Sequence, residues 1–281
     1  MQTGDNYRKV ETDEWARLRD GEDRLFFLSS TTYRDQCATV RPATKMRRMI
    51  LWSHPDLSYI LRRRGISVFI DGTFRCVPRE FYQCVILVAF DDETDLYLPV
   101  VFGLLEGKTS WDYWHFLRQI FVMTETKFAP STLVCDFESA LIQAVKEQCP
   151  DANIIGCLFH FKQAMRRKLV EMRFTQEEIY AAMQPGALDS LTDTSPELLL
   201  TRIEELMILL AKGNINKWKC FFNYVKETWI KRYGPDTWNV YRLIVEQVQI
   251  TNRTNNALEN LNLQLNENSA LGIQICSISF K

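Results

Sequence analysis

Two aspartates close short apolar runs: Ile66-Ser67-Val68-Phe69-Ile70 leads into Asp71, and Thr132-Leu133-Val134-Cys135 leads into Asp136. A carboxylate at the end of a buried strand escapes the interior while keeping the strand's rigidity. Two of them can therefore form one fixed acidic site at a sheet edge. Carboxylate oxygens held this way suit Mg2+ or Mn2+, and through the metal they suit phosphate chemistry.

Further acidic residues compete for a third place. Glu259 lies in Thr254-Asn255-Asn256-Ala257-Leu258-Glu259-Asn260, which reads as a capped helix start; a glutamate there also simply favours the helix dipole. Glu106 at the end of the third predicted strand and Glu138, two residues beyond Asp136, could approach the same site. Cys157-Leu158-Phe159-His160 could supply half of a zinc site, but a structural site wants four ligands and no second pair is apparent, so packing is the alternative. Lys162, Arg166, Arg167 and Lys168 put cations on the next helix, either as phosphate contacts or as a solvated face. Arg62-Arg63-Arg64 has the same two readings, and Lys45, Arg47 and Arg48 form another basic cluster.

The elements that must position these residues follow from the pattern. Residues 1 to about 45 are polar and weakly periodic, and Leu57 to Gly65 predicts a short helix stopped by its glycine. Three strand-like runs follow at hairpin spacing: Ser67 to Phe74, Gln83 to Phe90 and Tyr97 to Leu105, an antiparallel meander. From Thr109 the period becomes helical, with Trp111, Trp114, Phe116, Leu117, Ile120 and Phe121 on one face. A strand at Ser131 to Asp136, a helix at Glu138 to Gln148, an apolar run at Ala152 to Leu158 and a helix containing Gln163 to Glu171 complete a rhythm that predicts parallel pairing. Residues from about 174 to 248 are helical throughout, with Trp218, Phe221, Phe222, Tyr224, Val225 and Trp229 predicted as core and Gly234-Pro235 as a stop.

Composition sets the limits. The 281 residues are 46% hydrophobic and 25% charged, enough for a large core. No apolar stretch reaches the ~18 residues of a membrane span, and Asp5, Glu11, Asp13 and Glu14 occupy the place of a signal-peptide apolar core. The expectation is a soluble intracellular protein without membrane contact. The eight cysteines sit mostly in apolar or helical runs and read as reduced core residues. A net charge of −1 lacks the global basicity of a self-sufficient nucleic-acid binder, so any such contact must use local patches.

Taken in order, Asp71-Gly72-Thr73-Phe74, Cys135-Asp136-Phe137-Glu138-Ser139-Ala140, Cys157-Leu158-Phe159-His160 and Thr254-Asn255-Asn256-Ala257-Leu258-Glu259 resemble the Mutator-like element (MULE) transposase domain over roughly residues 60 to 265. Phe102-Gly103-Leu104-Leu105-Glu106 and Trp114 support the match. The resemblance implies an α/β fold of the DDE superfamily: a ribonuclease H-like mixed sheet, three antiparallel strands and then parallel strands with helices, interrupted by an all-helical insertion. In that sheet the first and fourth strands are neighbours, placing Asp71 beside Asp136. The implied organisation is an N-terminal polar or helical region at 1–60, a core at 61–173, a helical insertion at 174–250, and at 251–281 the part of the core carrying the third carboxylate. The family's recognition modules are not visible, so a truncated copy or fragment is expected.

The implied function is that of a DNA transposase catalytic domain, cleaving DNA and transferring strands with two Mg2+ or Mn2+ ions. The match makes Asp71, Asp136 and Glu259 its catalytic and metal-binding carboxylates, with Glu106 ranked below Glu259. It places Cys157 and His160 close to the active site. Transposon ends and target DNA are the implied partners, a homodimer is compatible, and a nuclear location follows from the substrate. A domesticated non-catalytic DNA-binding or transcription-regulating derivative, and a ribonuclease H-like nuclease that does not transpose, remain the alternatives.

Overall fold

The computed structural model describes residues 27–36, 46–74, 77–211, 213–246 and 248. They divide into two compact units, one running to Ile154 and the other starting at Ile155.

The first unit is built on β1 (Phe27–Arg34), β2 (Met46–Ser53), a short helix α1 (Pro55–Ile60), β3 (Ser67–Thr73), β4 (Gln83–Asp91), β5 (Leu96–Leu105), α2 (Ser110–Met123), β6 (Thr132–Cys135) and α3 (Ser139–Gln148). With β7 (Asn153–Gly156), the strands form one seven-stranded sheet in the order β1-β2-β5-β4-β3-β6-β7. The meander β3-β4-β5 is antiparallel, whereas β3 pairs with β6 in parallel. The fold is thus mixed α/β, as the change of period predicts.

Both faces of the central strands are buried, which explains why β3 and β4 read as continuous apolar runs rather than alternating ones. On one face Val68, Ile70, Val85, Leu87, Val101, Leu105, Leu133 and Cys135 pack with Tyr113, Phe116, Leu117 and Ile120 of α2 and with Leu141, Ala144 and Val145 of α3. Gly103 on β5 lets α2 approach closely, since a Cβ there would lie 2.7 Å from the Phe116 ring. Helix α2 begins at Thr109 in a capping box: the Thr109 hydroxyl accepts from the Asp112 N–H, and the Asp112 carboxylate accepts from the Thr109 N–H at 2.7 Å.

The N-terminal region differs from its expectation. Residues 27–53 contribute two strands, β1 and β2, in place of a polar or helical segment. The sequence hides β1 because it is an edge strand rich in Ser and Thr with much of its surface exposed. It hides β2 because two arginines interrupt the apolar run, yet Arg47 is buried.

The second unit contains α4 (Leu158–Glu171), α5 (Gln176–Met183), α6 (Leu199–Leu210), α7 (Ile215–Tyr224) and α8 (Tyr241–Val245). Helix α7 runs on as a π-helical stretch, Val225–Tyr233, which Gly234 stops with φ of +78°. The predicted aromatic stripe is core: Trp218, Phe221, Phe222 and Trp229 are buried. Phe161 of α4 packs edge-on to Trp229, with centroids 4.7 Å apart, and stacks on Trp238 at 5.4 Å.

Candidate active site at the sheet edge

The parallel register of β3 and β6 ends on the pair Ile70 and Cys135. The next residue on each chain is Asp71 and Asp136, so the two carboxylates leave neighbouring positions on strands roughly 4.8 Å apart. Ile70 and Cys135 point into the helix-covered core, and alternation along the strand turns Asp71 to the opposite face. Asp71 still lies inside β3 and is buried, and one of its oxygens accepts from the Gly72 N–H at 2.8 Å. Gly72 itself leaves room for the Gln83 side chain, whose Oε1 would lie 2.8 Å from an added Cβ.

Asp136 follows the last residue of β6 in the turn into α3. Its Oδ1 accepts from the Glu138 N–H at 3.0 Å. Burial pushes its carboxyl up from the ordinary value, with the Glu138 N–H and the Lys108 charge pulling the other way. Glu138 is the carboxylate that accompanies it. Its Oε2 accepts from the Tyr113 hydroxyl at 2.8 Å, and its Oε1 lies 3.8 Å from the Lys108 ammonium. Burial raises the Glu138 carboxyl as well, the Tyr113 hydrogen bond lowers it, and the Asp136 charge adds to the rise. The Gln83 amide donates to the Tyr113 oxygen at 3.0 Å and to the Gly107 carbonyl at 2.9 Å. Three segments distant in sequence are thereby tied at this edge: the start of β4, the turn before α2 and the turn before α3.

A second buried network anchors the turn before α2. Asp112 accepts from the Tyr33 hydroxyl at 2.7 Å, from the Arg47 guanidinium at 2.8 Å and from the Thr109 hydroxyl at 2.8 Å. Arg47 also pairs with Asp35. Gly107 lies directly against this guanidinium, and a Cβ there would fall on Arg47 and on the Asp112 carboxylate.

The register thus puts Asp71 and Asp136 at neighbouring chain positions on β3 and just after β6, and Glu138 lies two residues beyond Asp136. Glu106 follows the end of β5, with β4 between its strand and that of Asp71. Glu259 lies outside the described residues, as does Lys45. Among the described residues no three His, Cys, Asp or Glu side chains converge to hold a metal ion.

In the second unit Cys157 is fully buried at the N-terminus of α4. His160 sits in the first turn, its Nδ1 buried without a hydrogen-bond partner, and burial together with the Arg167 charge lowers its pKa. The cations of α4 do not form one stripe. Lys162 lies 3.7 Å from Asp189, and Lys168 pairs with Glu171 at 2.7 Å and covers the Tyr224 ring, while Arg166 and Arg167 are exposed. Arg63 donates to Asp91 at 2.6 Å and Arg62 lies 3.2 Å from Glu125. Asp91 is the last residue of β4, so Arg63 is engaged at the end of the sheet away from Asp71.

Tyr113, Gln83, Lys108, Arg47 and Tyr33 are the polar residues that sequence reading did not assign to the site. Tyr113 and Gln83 lie within apolar patterns, and only a polar atom in an otherwise apolar run could have singled them out. No helix of the described residues is long and apolar enough to cross a membrane. No curated protein matches the chain. The family model described as MULE transposase domain matches residues 67–164, which hold Asp71, Asp136, Glu138, Cys157 and His160.

Proposed function

We propose that the chain is the catalytic domain of a DDE-type DNA transposase, cleaving DNA and transferring strands with divalent ions held by Asp71, Asp136 and Glu259. The observation that carries this reading is the parallel pairing of β3 with β6, which sets Asp71 and Asp136 side by side at one sheet edge. The order β5-β4-β3-β6-β7, with three antiparallel strands and then β6 parallel to β3, supports a ribonuclease H-like core. The helices between Ile155 and the Glu259 segment support a helical insertion.

The donor set fits Mg2+ or Mn2+. It consists of hard carboxylate oxygens, and among the described residues Asp136 has no ion pair, while the Lys108 ammonium lies 3.8 Å from Glu138. Divalent ions in such a site supply neutralisation of the phosphate charge and activation of the attacking oxygen. The chain's own residues do the positioning. The pairing of β3 with β4 fixes Asp71, the Glu138 N–H holds the Asp136 carboxylate, and the Tyr113 hydroxyl holds Glu138. DNA is then the macromolecular partner, and a nuclear location follows from that substrate.

The test is an assay with Mg2+ or Mn2+ and a DNA end labelled next to its 3′-hydroxyl. Joined product is expected from the wild-type chain. Asp71→Ala, Asp136→Ala and Glu259→Ala should each abolish cleavage and joining while retaining DNA binding. Retained cleavage in Asp71→Ala or Asp136→Ala overturns the reading.

A further inference from the structure

Beside the acidic edge lies an aromatic pair that neither the core nor the carboxylate site uses. Phe74 directly follows β3, three residues after Asp71, and Tyr82 directly precedes β4. Both are half-exposed, at 50% and 46%, while Phe81 beside Tyr82 is buried. The two rings meet at 80° with centroids 5.6 Å apart, forming a corner. Tyr82 is fixed there, because its N–H donates to the Leu105 carbonyl at 2.8 Å. The Lys108 ammonium lies 5.7 Å from the Tyr82 centroid and 3.8 Å from Glu138, so one half-exposed cation spans the rings and the acidic centre.

Large rings left half in water beside strand ends forgo burial that a smaller side chain would not need. A planar, weakly polar ligand recovers that surface: a base laid on one ring meets the other edge-on, which is a favoured aromatic geometry. A base inside a duplex has both faces occupied, whereas an unpaired one offers a free face. The cation beside the rings matches the phosphate that accompanies every base.

We infer that Phe74 and Tyr82, with Lys108, form a subsite that stacks an unpaired base of the DNA strand next to the Asp71 and Asp136 edge. The inference rests on the DNA-processing reading above. It makes the site selective for a frayed or single-stranded nucleotide flanking the reacting phosphate, with the strand's backbone running past Lys108.

The test is a fluorescence titration of the full chain with a thymidine oligonucleotide carrying one 2-aminopurine, in Ca2+ buffer, against the same probe in duplex. Quenching of the single-stranded probe is expected. Phe74→Leu and Tyr82→Leu should each weaken binding on the order of 10-fold. Tyr82→Phe keeps the ring and should bind as wild type. Lys108→Gln should reduce the logarithmic salt dependence by about 0.7 for one lost single-strand phosphate contact. Unchanged affinity and quenching in the Phe74→Leu/Tyr82→Leu double variant overturns the subsite, as does equal quenching of the duplex probe. So does a Tyr82→Phe variant as weak as Tyr82→Leu, because that outcome assigns the effect to the hydroxyl. Failure of the transposase reading would show elsewhere, as retained metal-dependent cleavage in Asp71→Ala.

Discussion

Asp71 and Asp136 stand one residue beyond the Ile70 and Cys135 pair, on adjacent parallel strands whose apolar bodies are buried. Burial leaves the Asp136 carboxyl raised, so the native chain holds its proton more tightly than the unfolded chain does. Stability therefore falls as pH rises from the ordinary carboxyl value of 3.8 through the folded one, and stays lower above it. Asp136→Asn should raise the melting temperature of the metal-free protein by a few degrees at pH 8, where ~1 kcal/mol is worth roughly 2–4 °C. The gain should vanish near pH 3. Calorimetry at the two pH values checks this; a lower melting temperature at pH 8 would refute it.

Divalent ions should act in the opposite sense. At a concentration 100 times the dissociation constant a bound ion stabilises by about 2.7 kcal/mol. Mg2+ or Mn2+ should therefore raise the wild-type melting temperature and leave that of Asp136→Asn unchanged. An equal rise in both proteins would place the binding elsewhere.

Tyr113 is almost fully buried, and its hydroxyl is the donor that holds Glu138. Tyr113→Phe deletes that donor and strips Gln83 of one acceptor. The cost should be about 1–3 kcal/mol, the range for a buried group left without its partner. Urea unfolding measures it, and a change below ~0.5 kcal/mol would mean that water replaces the hydroxyl.

Gly107→Ala should behave as a mutation of Arg47, because the added methyl would displace the guanidinium from Asp112. Breaking a buried ion pair from one side costs about 3–5 kcal/mol, so Gly107→Ala and Arg47→Met should each lose that much. Their double variant should lose little more than either alone, since both act on one contact. Additive losses would separate the two residues.

His160 gives the second unit an acid limb. Its ring is held neutral by burial and by the Arg167 charge, so its folded pKa lies below the ordinary 6.5. The unfolded chain then binds the proton first, and stability falls as pH drops from 6.5 toward the folded value. Unfolding followed by tryptophan fluorescence should show this loss in wild type and not in His160→Gln. A parallel acid limb in both would assign it to other groups.

Local pattern along the chain was sufficient for β3, β4, β5, α2, β6 and α3, because buried strands write short apolar runs, and helices a 3.6-residue repeat, into consecutive residues. The matched segment was legible for the same reason: Asp71-Gly72-Thr73-Phe74 and Cys135-Asp136-Phe137-Glu138 are local patterns. Pairings between distant residues were not legible. Arg47 looked like part of a basic surface cluster, yet it is buried against Asp112, 65 residues away, and Tyr33 reaches the same carboxylate across 79. Nor does any local pattern tie Glu138 to Tyr113 and Lys108, which hold it. The sequence by itself determined which of these elements form and which two aspartates close their apolar runs. Only the tertiary structure decided which charges are consumed inside the fold and which remain at the edge. That follows from the physics: an ion pair or hydrogen bond depends on where two chain segments meet, and no local repeat encodes the meeting.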